Sequence, residues 1–249
     1  MNWIKTPNIP TSAVSTVLVD YRTNEKIIKN LNKLGIKTIL SCKNKNISKP
    51  VCGHADMMIC HLGSNSFVCS PDSYDYFTDI FEATGINLIR GNSALSRTYP
   101  YDTAYNVAII GDKVICAEQF ADSNILNYCE ANNFTVVTVR QGYAKCNTCV
   151  VNNRAIITSD AGIAKSASVN GIDVLLISQG HIRLSGYEYG FIGGATGLIS
   201  GNTLAVCGTL KYHPDYAAIQ EFCCANSVKL LDLSDEPATD IGSILPLSY

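Results

Sequence analysis

The sequence predicts an α/β chain built as a five-fold pseudosymmetric propeller of ββαβ units, its first unit completed by the C-terminal strand. Three observations predict it. One order of segments recurs: an apolar run, a tight turn, a second apolar run, a helix-like stretch and a third apolar run. Turn-forming Gly, Asn or Asp sits between the first two runs of each full unit. The first unit lacks its opening run, while the chain ends in an apolar run with no helix behind it. Self-similarity at a roughly fixed period marks repeat architectures. A terminal strand that completes the initial unit leaves no open sheet edge.

The first unit, "STVLVDYRTNEKIIKNLNKLGIKTILSC", supplies a middle strand, a helix and a third strand. The second, "HADMMICHLGSNSFVCSPDSYDYFTDIFEATGINLIRG", turns at Gly-Ser-Asn. The third, residues 102–140, turns at Gly-Asp between two apolar runs, which is a hairpin signal. Its helix is expected over 120–131, with Phe120, Ile125, Leu126 and Tyr128 on one face. The fourth, "KCNTCVVNNRAIITSDAGIAKSASVNGIDVLLIS", turns at Asn-Asn, and the fifth, ending "KLLDLS", turns at Gly-Asn. "TDIGSILPLSY" then offers the missing strand. The expectation is a single domain over residues 1–249, with units near 14–42 plus 239–249, 53–91, 102–140, 145–178 and 193–234.

With 47% apolar and 16% charged residues, the chain can bury a substantial core. A formal net charge of −2, with no basic run beyond "CKNKNISK", argues against a nucleic-acid partner. No segment approaches 18 uninterrupted apolar residues and no apolar stretch follows a basic N-terminal region, so a soluble, cytoplasmic protein is expected. Eleven cysteines, several inside strand-like apolar runs, fit free buried thiols in a reducing compartment. A homo-oligomer is compatible with all of this.

If the units are equivalent, matched positions face a common centre. Registered on the apolar triplets 57–59, 107–109, 149–151, 197–199 and 243–245, the position three before each is His54, Ala104, Cys146, Gly194 and Asp240. One column thus holds an acid, an imidazole and a thiol, with two small residues leaving room for a ligand. Asp56, two residues after His54, is expected on the same strand face.

These residues resemble a family. "GHADMMIC" at 53–60 is similar to the G-H-x-D motif of the guanidino-group-modifying superfamily, or penteins, and "GYAKCNTCV" at 142–150 is similar to the strand carrying their nucleophile. The superfamily includes arginine, agmatine and peptidylarginine deiminases, dimethylarginine hydrolase and amidinotransferases. The order of acid, then His one unit later, then Cys two units on, is matched by Asp240, His54 and Cys146. Cys146 stands mid-chain rather than near the C-terminus, and Lys145 stands where several members have His.

The resemblance implies a cysteine-dependent hydrolase or amidinotransferase on a small guanidino compound, working without metal or organic cofactor through a covalent thiouronium intermediate. Cys146 would be the nucleophile and His54 the general acid and base. Asp56 and Asp240 would grip the planar cation. Asp102 competes with Asp240 as the second acid. The expected substrate-binding set is Asp56, Asp102, Asn106, Asn147, Arg183 and Glu188, with Arg183 meeting a substrate carboxylate and Tyr187, Glu188 and Tyr189 lining the mouth. Two rivals stay open: a non-catalytic binding member of the fold, like the ribosome anti-association initiation factor, and a cysteine hydrolase of another amide-like substrate.

Cys146 and Cys149 also spell C-x-x-C. A zinc site would need a second close pair, which the sequence lacks. A thioredoxin-like motif would open a helix, whereas this one is expected within a strand, with Cys149 packing on the opposite face.

Overall fold

The computed structural model describes residues 2–249, and its strands form five separate three-stranded sheets. The first unit contains β1 (Thr16–Val19), α1 (Glu25–Lys33) and β2 (Lys37–Leu40). The second contains β3 (Ile59–Gly63), β4 (Ser66–Cys69), α2 (Tyr74–Ile80) and β5 (Asn87–Arg90). The third contains β6 (Ala108–Ile110), β7 (Lys113–Cys116), α3 (Ser123–Ala131) and β8 (Thr135–Thr138). The fourth begins with a short helix, α4 (Ala144–Asn147), then β9 (Cys149–Val150), β10 (Ala155–Thr158), α5 (Ala161–Val169) and β11 (Asp173–Leu176). The fifth has β12 (Thr196–Ser200), β13 (Thr203–Val206), α6 (Tyr216–Ala225) and β14 (Lys229–Asp232), and β15 (Leu245–Ser248) ends the chain.

Every sheet repeats one pattern. An opening strand runs antiparallel to a middle strand, which runs parallel to the third. In the first sheet the opening place is taken by β15, with Leu18 opposite Leu245 and Val17 opposite Pro246. The middle strands β1, β10 and β13 are buried along their whole length, as the apolar runs "TVLV", "AIIT" and "TLAV" require. The third strands alternate toward solvent at both ends.

The helices are set by local signals. Asn24, Asp122 and Asp160 cap α1, α3 and α5 by accepting from the backbone N–H of Lys26, Asn124 and Ile163. Helices α1, α3 and α6 each turn one narrow stripe inward: Ile27 and Leu31, Ile125 and Cys129, and Ile219 and Cys223. The Asp122 cap starts α3 at Ser123, so Phe120 lies in the preceding 3-10 turn and not on the expected helix face. A left-handed residue follows each of the five longer helices: Gly35, Ala83 with Gly85, Asn133, Gly171 and Ser227. After four of them the next N–H, from Ile36, Phe134, Ile172 or Val228, reaches back to the last helical turn at 2.8–3.1 Å.

Three of the opening strands begin later than the apolar triplets suggest, at Ile59, Ala108 and Leu245. The residues before them carry the candidate site, and they are turns. Ala55–Met57 form a 3-10 turn with His54 as its N-cap, so His54 and Asp56 do not share a strand face as expected. Cys146 lies in α4 and Cys149 opens β9, so the C-x-x-C spans a helical turn and a strand start rather than one strand. The reason is where the backbone groups bond. These segments bond across to the neighbouring unit as well as within their own. Asp56 N donates to Gly242 O (3.4 Å), Asn106 Nδ2 to Asp56 O (3.1 Å), Lys145 N to Asn106 O (3.3 Å), Gly194 N to Cys146 O (2.8 Å) and Ser243 N to Gly194 O (2.8 Å). Among the described residues, no helix is long and apolar enough to cross a membrane.

Candidate active site

The segments that precede the opening strands bring Cys146, His54, Asp56 and Asp240 together, all at most 3% exposed. Cys146 Sγ lies 3.3 and 3.4 Å from the two Asp56 carboxylate oxygens. Donor atoms of His54, Asp56 and Cys146 all fall within 4.8 Å of one another, a trio that could also hold a divalent ion.

Asn106 fixes the sulfur. Its Nδ2 donates to Cys146 Sγ (3.1 Å) and to Asp56 O, while its Oδ1 accepts from the backbone N–H of Lys145 (2.8 Å) and Cys146 (3.1 Å). A relay fixes Asp56. Ser243 Oγ lies 2.7 Å from Asp56 Oδ2 and accepts from the buried Lys145 Nζ at 2.8 Å. The departure at position 145 therefore puts an ammonium group two bonds away from the carboxylate beside the thiol.

Asp240 is held differently. Its oxygens accept from the backbone N–H of Phe191 (2.9 Å) and Gly242 (3.0 Å), and Oδ1 faces His54 Nδ1 at 3.7 Å. Close packing makes this possible. A Cβ at Gly194 would collide with the Asp240 carboxylate, and one at Gly242, which has φ +68°, would collide with His54. The small residue at 194 thus makes room for Asp240, not for a ligand as the register suggested. Ala104, the other small member of the column, is itself buried.

Burial pushes the Cys146 thiol well above its usual value; Asp56 and then Asp240 push it further, and only the Asn106 bond opposes them. The resting sulfur is a neutral thiol that a nearby cation would convert to thiolate. Asp240 is also raised, first by burial and then by Asp56, with His54 pulling it down.

A cavity of about 260 Å³ opens over this cluster. Cys146, His54 and Asp240 form its reactive end, Val51 and Leu184 its sides, and Tyr143, Phe191, Tyr187, Tyr189 and Glu188 its aromatic remainder. The expected mouth residues Tyr187, Glu188 and Tyr189 therefore do line it. The rim is pinned where Tyr187 Oη meets Ser48 Oγ at 2.9 Å. An adjacent cavity of about 380 Å³ shares His54, Leu184 and Asp240 and adds Asp20, Arg22 and Lys49.

Other expected residues lie elsewhere. Asp102 is buried behind the cavity wall, accepting from Tyr143 Oη at 2.7 Å, and burial raises its carboxyl against the effect of that bond. Asn147 is buried and donates to Tyr143 O, which makes it part of α4 rather than of the lining. Arg183 points away: it is largely exposed, with Nη1 3.7 Å from Glu236. Cys149 packs in the apolar core, as expected. Ser243 and Tyr143 escaped the sequence reading. Ser243 was in view as the first residue of the "SIL" triplet, where register marked it only as strand.

Residues 18–245 match a family of unknown function, DUF6873, and the chain belongs to that family. A search of curated proteins found no match. Solved structures do resemble it at low identity. An inosamine-phosphate amidinotransferase from Streptomyces griseus aligns with TM-score 0.57 and 9% identity over 94% of this chain and 92% of its own. The agmatine deiminase of C. jejuni aligns at 0.54 and 7%, over 92% and 91%. The dimethylarginine hydrolase DDAH of Pseudomonas aeruginosa aligns at 0.53 and 10%, over 89% and 93%. The chain shares the fold of these pentein guanidino-modifying enzymes.

Proposed function

We propose that this member of the DUF6873 family is a cysteine-dependent enzyme that modifies a small guanidino compound, its five units arranged as one pentein propeller around the site. The observation that supports it most strongly is a buried thiol 3.3 Å from a carboxylate, at the floor of a cavity that also presents an imidazole. A free anion beside a thiol is unfavourable for thiolate formation. It becomes useful when the substrate is a cation. A guanidinium held by Asp56 neutralises the carboxylate and favours the thiolate next to it.

The chemistry then follows in balanced steps. Cys146 transfers its proton to His54 and the thiolate attacks the guanidinium carbon, giving a tetrahedral adduct. His54 returns the proton to the departing amine as the C–N bond breaks, leaving a positively charged S-alkylthiouronium. Water, deprotonated by His54, attacks the same carbon. The C–S bond breaks with its electron pair on sulfur, and Cys146 takes its proton back from His54. The added hydroxyl gives up its proton to solvent, where the released ammonia or amine takes it up, leaving a ureido compound. An acceptor amine in place of water would give amidino transfer. Asp240 serves as the carboxylate that orients His54 and stabilises its charged form, since its own oxygens are already held by backbone N–H groups. The protein would need no metal for any of these steps.

The non-catalytic reading is less well supported, because a binding ring has no need of a thiol, an imidazole and a carboxylate converging on one cavity. The test is a panel of guanidines assayed for ammonia and ureido product with wild type and Cys146→Ala. Turnover of at least one guanidine that Cys146→Ala lacks is expected. Equal signals from both proteins across the panel would remove the reading.

A further inference from the structure

The cavity carries more information than its floor, and resting on the guanidine reading, we propose that the substrate's far end is a cation: a guanidine joined through a short apolar spacer to an amine, without a carboxylate. The groups beyond the reactive end are Tyr143, Phe191, Tyr189, Tyr187 and Glu188. Among the described residues, no Lys or Arg lines this cavity. Glu188 is exposed at the mouth and forms no ion pair among the described residues. Aromatic faces with one carboxylate form a recognition surface for an ammonium group. The same surface repels an α-carboxylate, the group that the α-amino acid guanidines carry.

Two arginines could in principle reverse that sign, and neither is placed to do so. Arg183 is turned out toward Glu236. Arg22, in the adjacent cavity, already donates to both Asp20 oxygens and to the carbonyls of Lys49 and Pro50. Lys49 is the remaining basic group there, exposed and beyond Leu184. The aromatic cavity is also below the usual size range for drug-sized ligands, which suits a guanidine on a spacer of a few carbons.

The experiment uses three guanidines with the same four-methylene spacer that differ only in the far end: agmatine (ammonium), pentylguanidine (methyl) and 5-guanidinopentanoate (carboxylate). We expect kcat/KM for agmatine about three- to tenfold above pentylguanidine, the size of one exposed cation–π and ion-pair contribution. We expect it at least tenfold above 5-guanidinopentanoate. Glu188→Gln should lower the agmatine-to-pentylguanidine ratio toward one, and Glu188→Lys should favour 5-guanidinopentanoate. Cys146-dependent turnover of 5-guanidinopentanoate equal to or above that of agmatine, lost in Lys49→Ala, would overturn the proposal while leaving the guanidine reading intact. No turnover of any of the three, together with no binding of any to Cys146→Ala by calorimetry, would overturn both.

Discussion

Removing the charge on Asp56 should make Cys146 more reactive toward a neutral alkylating agent, although it should abolish turnover. The nearer carboxylate oxygen is 3.3 Å from Sγ. At an effective dielectric of about 20, a unit charge at that distance opposes thiolate formation by about 5 kcal/mol, nearly four powers of ten in ionisation. That is a ceiling, because Ser243 and Lys145 already draw the Asp56 charge away from sulfur. Taking half of it, Asp56→Asn raises the thiolate fraction at pH 7 about a hundredfold, while the less basic sulfur loses about tenfold in intrinsic nucleophilicity. The net expectation is alkylation by iodoacetamide roughly tenfold faster. The sign in wild type follows from the same cause: a thiol raised well above its usual value stays protonated at neutral pH, and alkylation keeps rising through and beyond pH 9. The assay is peptide mass spectrometry of timed reactions across pH. The exposed Cys224 in the same chain calibrates reagent and quench. An Asp56→Asn rate at Cys146 equal to or below wild type, relative to Cys224, would refute the electrostatic argument. So would a wild-type Cys146 that reacts as fast as Cys224 at pH 7.

Gly194→Ala places a methyl group against the Asp240 carboxylate, and overpacking of this kind should cost about 1–3 kcal/mol in denaturant unfolding, with loss of turnover as Asp240 moves off His54. An unchanged midpoint would contradict the packing described. Ser243→Ala leaves the buried Lys145 ammonium without its hydrogen-bond partner and should destabilise by about 1–3 kcal/mol. In a Lys145→Met background the same substitution should cost less, and additivity of the two would show that the Lys145–Ser243–Asp56 relay is not energetically coupled.

Much of the fold was legible because its signals are local. Hairpin turns at Gly111-Asp112 and Gly201-Asn202, left-handed residues after helices and buried middle strands all depend on neighbours in sequence. The convergence of His54, Cys146 and Asp240 was legible through repeat register. What register missed is what neighbouring units do to one another. The segment 54–57 is a turn because Asp56 N bonds to Gly242 O across units, and no periodicity within the segment announces that. Gly194 read as empty space, yet the residue that fills it is 46 positions away. Arg183 read as a carboxylate partner because it sits in the loop over the site, but its backbone is paired with residues 238–240 and its side chain lies toward Glu236. Ser243 and Lys145 acquire meaning only once both stand beside Asp56.

Attack of Cys146 on a guanidinium carbon is tested by mixing the protein with agmatine, quenching in acid within the first turnover, and weighing the peptide that carries Cys146. A thiouronium adduct on Cys146 that forms and decays with turnover, and is absent from Cys146→Ala, is expected. Turnover that proceeds with Cys146 unmodified throughout, or that survives its replacement by alanine, would contradict it.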